Sequence, residues 1–431
     1  MLKRKVVTSL MLVLLCVSGT LFAHGQSESE KAQTVDIWSF NLSTNALSVV
    51  QNKIIKEYEL KNPGVTVNWQ NIPYDGYREK LLTAAAGQVL PDVFIDGYNM
   101  LGTYYSAGII EDFTDMTKSW NRWEEIDSSL TNLTYYDKKC YGLPFRTKVY
   151  PVLINTQIFK ECGLDPDNPP STWDEALAAA SKIVKVENGV VTRMGVSGFR
   201  TTSAFMRAFD LFVQQDGGSF LNEDGTPAFN NQHGLNALEY LNKLYRTQLP
   251  VGAAPLDESA TDAFVAGKAG MAIMGSYDAV QTALQTGNTE MQKFTKVIPP
   301  FRGNNADGKP VSFFDGDMMY MSALSKHKQA AWDFIKYFYE PDVFMTYVEA
   351  NKVVPIYRSQ MNNEYMQKHP LLQGIMEMQK YGGTLAATPA YRSARSYLAD
   401  EIEKTLESGQ SAQKSLDNTE KAWLREIRDL K

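Results

Sequence analysis

The sequence predicts an α/β protein of two or three domains, its sheets mostly parallel and flanked by helices, and three observations predict it. At 431 residues the chain exceeds what a single ordinary core organises, so at least two domains are expected. Its apolar segments alternate between strand and helix periodicity, the order that builds a parallel sheet with helices on its faces. One local design also occurs twice: helix, glycine, short apolar strand, polar edge, at Tyr77–Asn99 and again at Phe264–Tyr277.

The first 25 residues stand apart. Lys3, Arg4 and Lys5 precede an apolar run, Val6 to Val17, and small residues follow at Ala23 and Gly25. This is the pattern of an export signal cleaved before Gln26, and the run is too short for the ~20 residues a membrane helix needs. Cys16 follows Leu15, a poor match to a lipidation site, so a soluble protein outside the cytoplasm is expected.

Thr34–Trp38 reads as the first strand, Ala46–Leu60 as a helix with one apolar face, and Val65–Trp69 as the second strand. In Tyr77–Asn99, Tyr77, Leu81, Leu82 and Ala85 share a helix face, and Gly87 is placed at the left-handed position that ends it. Asp92–Ile95 is then a short buried strand, and Asp96 and Asn99 stand at its carboxyl end, where ligands bind in open α/β sheets. Val149–Ile154 is a further strand. Ser171 and Thr172 are N-cap candidates for a helix over Trp173–Val186, and Met271–Met274 is a strand ending at Gly275-Ser276-Tyr277. Val311–Leu324 reads as extended, and Pro341 splits helices Gln329–Tyr339 and Asp342–Asn351. Trp38, Trp69 and Trp173 lie inside elements and are assigned to the core.

Charge and composition narrow the function. Removing the three basic residues of the export segment from 43 leaves 40 against 49 acidic ones, a net charge near −9. That argues against nucleic acid, whose phosphates want a basic footprint. Four scattered histidines show no ligand spacing, so neither a metal nor a cofactor is expected. Cys140 and Cys162 are expected to stay unpaired.

The succession YREKLLTAAAGQVLPDV, YGLPF…LIN, STWDEA, FVAGKAGMAIMG, VIPPF and AAWDFIKYF, after an export signal, resembles the family 1 extracellular solute-binding proteins, the sugar-binding components of ABC importers. The resemblance covers nearly the whole mature chain. It implies the type II periplasmic-binding-protein fold, a monomer whose lobes close on a carbohydrate and then dock on membrane permease subunits. It also implies the segments 26–146 and 300–352 in an N-lobe and 147–299 and 353–431 in a C-lobe, with crossings near Phe145–Pro151, Pro299–Lys309 and Val353–Pro355.

A sugar site needs aromatic platforms and side chains that grip paired hydroxyls. Carried over by position, the ligand-binding candidates are Phe40 and Asn41 after the first strand, Tyr74 after the second, and Asp96 and Asn99 after the third. To these the resemblance adds Arg146 and Lys148 at the first crossing, Arg200 after Met194–Gly198, Tyr277 where relatives often carry Trp, and Arg392 after a turn. Relatives often carry Gly-Gly where this chain has Phe314-Asp315-Gly316-Asp317, so Asp315 and Asp317 join the candidates, either as ligand contacts or as partners of a lysine across the cleft. Arg146 is read as a ligand contact or a hinge ion pair. Asp96→Ala is expected to abolish or greatly weaken binding while barely changing stability, with Asp96 and Asn99 facing Tyr277 across the cleft.

Other readings stay open. The same fold would bind a polyamine, a metal chelate or a peptide. A glycosidase would need two carboxylates about 5–9.5 Å apart, for which Asp96 and Asp315 are a candidate pair. Ser325-Lys326-His327-Lys328 matches the S-x-x-K of serine acylases, but no S-D-N accompanies it.

Overall fold

The computed structural model describes residues 33–198, 202–257, 259–383, 388 and 391–429. The export segment with Cys16 and the candidate Arg200 lie outside them, and of Arg392 only the helical backbone is described. In chain order the strands are β1 (Gln33–Ser39), β2 (Val65–Asn71), β3 (Val93–Gly97), β4 (Tyr135–Tyr136), β5 (Lys139–Cys140) and β6 (Leu143–Tyr150). They continue with β7 (Val152–Asn155), β8 (Lys185–Glu187), β9 (Val190–Ser197), β10 (Ala269–Ala272), β11 (Thr295–Ile298) and β12 (Phe313–Met321).

Two five-stranded sheets result, β2-β1-β3-β12-β6 and β11-β7-β10-β9-β8. Both are mixed, where mostly parallel sheets were expected. β1 runs parallel to β2 and β3, and β9 to β10, but β12 is antiparallel to both its neighbours, as β7 is to β10 and β11. The reason is the way the chain crosses between sheets. β6 and β7 follow each other through Pro151 into different sheets, and β12 returns from the second to be inserted between β3 and β6. The lobe boundary expected after Arg146 therefore falls inside β6, and the chain leaves the first sheet only at Tyr150. On the last crossing, contacts with the first lobe persist past Val353–Pro355: Tyr357 pairs with Ile126, and Gln360 Nε2 donates to Pro341 O.

Local chemistry fixes the element ends. β3 is buried throughout, as a central strand covered on both faces must be. The helix Trp173–Ile183 starts at a capping box in which Thr172 accepts from Glu175 N and the Glu175 carboxylate accepts from Thr172 N. Pro341 opens the helix Pro341–Asn351, where its missing N–H costs nothing. The helix Tyr77–Ala86 does not end on a left-handed Gly87, whose φ is −80°; Gln88 takes that conformation at φ +56°. The first lobe is packed around Trp69, Phe145, Phe334, Phe338 and Tyr347. In the second, Trp173 stacks on Tyr240 at 4.4 Å between centroids, and Trp423 closes on Phe220 and Phe229. Trp69 and Trp173 are core, as assigned, whereas Trp38 is only partly buried, with Lys80 Nζ 4.4 Å from its ring centre.

The helix Ser276–Thr286, which follows β10 of the second sheet, is tied to the first lobe along its length. Asp278 accepts from Lys148 Nζ and Tyr150 OH of β6, and Gln281 and Gln285 both donate to the Asn351 carbonyl, each at 2.9 Å.

Candidate ligand-binding site

A cleft of about 320 Å³ opens between the lobes at the carboxyl ends of β1 and β3. Its first-lobe wall carries Phe40, Asn41, Tyr74, Arg78 and Asn99, and β6 and β12 form the floor with Arg146, Lys148, Tyr150, Phe313, Asp315, Gly316 and Asp317. The second lobe faces them with Met206, Arg207 and Asp210 from the helix Thr202–Gln215, Asp278 from the helix after β10, and Arg395.

Tyr74 is the open aromatic surface, 48% exposed. Its ring packs 5.4 Å from that of Phe40, and Arg78 and Arg146 flank the pair, 5.8 Å from Tyr74 and 5.9 Å from Phe40. An aromatic ring braced on one side and free on the other is a platform for the C–H face of a ligand. Asn41 adopts φ +52°, and its carbonyl accepts from Arg146 Nη1 at 3.0 Å.

Asp96 is not in the cleft. Its carboxylate is fully buried and takes Nε and Nη2 of Arg78, the Gly97 N–H and, at 2.5 Å, the Tyr104 hydroxyl. The central strand β3 turns that side chain into the lobe, and Arg78 reaches from the neighbouring helix to neutralise it and shows its other edge to the cleft. Burial alone would lower the pKa of Arg78, but the Asp96 carboxylate outweighs it and raises the value. Tyr277 is also misplaced by the sequence reading: it is fully buried, with Lys148 Nζ 5.8 Å from its ring, and its neighbour Asp278 lines the cleft instead. The expected facing of Asp96 and Asn99 with Tyr277 across the cleft is therefore not formed: Asn99 lines the cleft, and Asp96 and Tyr277 are both buried away from it.

The structure brings together Phe40, Asn41, Tyr74, Asn99, Arg146, Lys148, Asp315 and Asp317. Among the charged lining residues, the sequence reading missed Arg78, Arg207, Asp210, Asp278 and Arg395. A signal existed for two of them: Arg207 and Asp210 are charged residues inside the apolar helical run AFMRAFDLFV, where a core helix would carry none.

Three cleft cations sit in close ion pairs within hydrogen-bond reach. Arg78 meets Asp96 at 2.8 Å, Arg146 meets Asp317 at 2.5 Å, and Lys148 meets Asp278 at 2.7 Å. Arg207 lies 3.7 Å from Asp315, beyond hydrogen-bond distance. Arg146 and Asp317 sit side by side on β6 and β12, so Arg146 is an ion-pair member within one lobe rather than a hinge contact. Burial would raise the pKa of Asp278, yet Lys148 and Tyr150 hold it below the ordinary carboxylate value. Burial does raise Asp315, partly offset by Arg207 and Lys148, and it pushes Asp210 to about 7 despite the hydrogen bond that its carboxyl accepts from Gln214. The lining itself carries five cations, Arg78, Arg146, Lys148, Arg207 and Arg395, and four carboxyls, with Asp96 as a fifth behind Arg78.

Gly316 keeps the floor flat. It has φ +155°, and a Cβ there would stand 2.3 Å from the Arg146 carbonyl oxygen and 2.7 Å from the Tyr98 ring. Gly316→Ala is expected to destabilise the protein by about 1–3 kcal/mol and to displace Asp315 and Asp317. Urea unfolding and ligand titration of this variant measure both effects, and parental values in both would refute the tight floor.

Neither catalytic constellation assembles as expected. Asp96 is sealed behind Arg78 and does not pair with Asp315 across the cleft. Ser325 Oγ donates to Asp92 at 2.6 Å and accepts from His327 N, while Lys328 is bound to Glu111 at 2.6 Å. That serine caps a turn.

A family description, bacterial extracellular solute-binding protein, matches residues 43–343. This chain belongs to that family. Among the relatives of this solute-binding protein, a binding protein of Brucella abortus is 25% identical over 319 residues, 73% of this chain and 74% of its own. A maltotriose-binding protein of Pyrococcus abyssi is 22% identical over 360 residues, 82% of this chain and 73% of its own. A solved structure of an ABC transporter solute-binding protein from Thermotoga lettingae, bound with α-D-tagatose, superposes with a TM-score of 0.77 at 25% identity, covering 92% of this chain and all of that one. The two-lobed α/β fold expected of the family is thus present in this solute-binding protein. Among its described residues no helix is long and apolar enough to cross a membrane.

Proposed function

We propose that this solute-binding protein captures a neutral saccharide in the interlobe cleft and delivers it to the membrane subunits of an ABC importer, acting as an exported monomer without catalysis. The observation that carries this reading is the pairing of charge in the cleft. Each close pair presents a donor edge and an acceptor edge with no net charge, which suits hydroxyls that donate and accept at once. A polyamine would need an excess of carboxylates, and a phosphate or uronate an excess of cations; the three close pairs offer neither. Tyr74 supplies the apolar face. The tagatose-bound neighbour and the maltotriose-binding relative point to the same class of ligand.

Ligand contacts from both lobes stabilise the closed form over the open one. A shift from 1:99 to 99:1 requires about 5.5 kcal/mol of differential binding. Thermal melts with D-tagatose, mannobiose, maltotriose, galacturonate, spermidine and a tripeptide test the reading. A neutral sugar at 100 times its Kd should add about 2.7 kcal/mol, a rise of about 3 °C for a chain of this length, and the charged compounds should add nothing. A shift with spermidine or galacturonate alone would overturn the neutral-saccharide assignment, and sugar turnover would overturn the pure binder.

A further inference from the structure

Resting on the saccharide reading, we propose that one hydroxyl of the ligand seats between Arg207 and Asp315, and that this bridge is the contact that couples binding to lobe closure. The pair differs from the other three in two ways. Arg78–Asp96, Arg146–Asp317 and Lys148–Asp278 are joined at 2.5–2.8 Å and leave no room between their atoms. Arg207 Nη1 and Asp315 Oδ2 stand 3.7 Å apart. An oxygen about 2.8 Å from each closes a triangle on that base, a normal length for both hydrogen bonds.

The two residues also come from opposite lobes. Asp315 belongs to β12 of the first sheet, and Arg207 to the helix after β9 of the second. Asp315 is held ready: its Oδ1 accepts from the Gly316 N–H at 2.8 Å, which leaves Oδ2 turned to Arg207. Both side chains keep about a third of their surface exposed, 34% for Arg207 and 29% for Asp315, so a ligand reaches them. A hydroxyl fits both ends. It accepts from the guanidinium and donates to the carboxylate, whereas an ether oxygen or a fluorine lacks the proton and leaves Asp315 facing a lone pair. The pair Lys148–Asp278 is joined directly at 2.7 Å, whereas the Arg207–Asp315 separation of 3.7 Å has the width for a bridging oxygen.

The test uses those of D-tagatose, mannobiose and maltotriose that raise the melting temperature, together with their singly deoxygenated analogues. Calorimetric titration should find one position whose deoxygenation weakens binding to the parent protein about 10- to 100-fold. That same deletion should make no further difference in Arg207→Ala or in Asp315→Ala. Small-angle scattering should show that the parent compacts with the full sugar but less with that analogue. If the two variants become indifferent to different hydroxyls, or to none, the bridge is wrong while sugar binding stands. If no sugar binds, the saccharide reading fails and the bridge fails with it. The analogue series on the parent protein reads the contact even where a variant folds poorly.

Discussion

Asp96→Ala should unfold in urea with about 3–5 kcal/mol less stability than the parent protein. The reason is the company its carboxylate keeps: two nitrogens of Arg78, a backbone N–H and the Tyr104 hydroxyl all point at it in a site with no exposure. Removing the carboxylate strands a half-buried guanidinium and two donors, and a buried charge without its partner is among the few defects that exceed 3 kcal/mol. This reverses the expectation drawn from the sequence, in which the substitution left stability alone. Ligand affinity should fall as well, because Arg78 is then free to move in the cleft wall. Replacing both partners by apolar residues, Asp96→Leu with Arg78→Met, should recover most of the stability but not the affinity. A loss below 1 kcal/mol in the single variant would show that Arg78 does not depend on Asp96.

The second large effect depends on pH. Asp210 lies on the cleft side of the helix Thr202–Gln215, 5% exposed, and its folded pKa is raised to about 7. An ordinary aspartate in the unfolded chain ionises near 4. Below that pH both states hold the proton and the group is neutral with respect to stability. As pH rises from about 4 to 7, the unfolded chain releases the proton and the folded one keeps it, so the parent loses stability over that window and no more above it. Asp210→Asn keeps an oxygen for the Gln214 amide and carries no proton to release. It should therefore exceed the parent by up to about 4 kcal/mol at pH 8, from a shift of some three pKa steps, and by almost nothing at pH 3.5. A difference that does not change across this range would place the carboxyl's proton elsewhere.

The fold was legible where a pattern belongs to one segment. Strand and helix periods, the Thr172 cap and the Pro341 start are local, and they survive in the structure. Strand direction was less so: that β12 is inserted between β3 and β6 depends on a crossing some 200 residues after β3, which no window contains. The same division holds for the site. Phe40, Asn41 and Asn99 line the cleft because they follow the carboxyl ends of β1 and β3, and Asp315 and Asp317 join them because antiparallel β12 brings its amino-terminal half to the same edge. Which member of an ion pair faces outward is a matter of packing. Asp96 sits at a strand end and Arg78 on a helix, and only the approach of that helix decides that the arginine shows to the cleft. Tyr277 and Asp278 are adjacent, and the register of one helix start selected the second. Gln88 in place of Gly87 is a shift of one residue, set by where the last hydrogen bonds of the helix close.

The helix Ser276–Thr286 has a mechanical consequence. Fastened to the first lobe at Asp278, Gln281 and Gln285, it can serve as an axle while the lobe that carries it swings. Displacement then grows with distance from it, so dyes attached near Asn351 would barely register a bound solute. A pair on the two lobes at the far rim would travel furthest, and there this chain offers its best footing for an optical sensor.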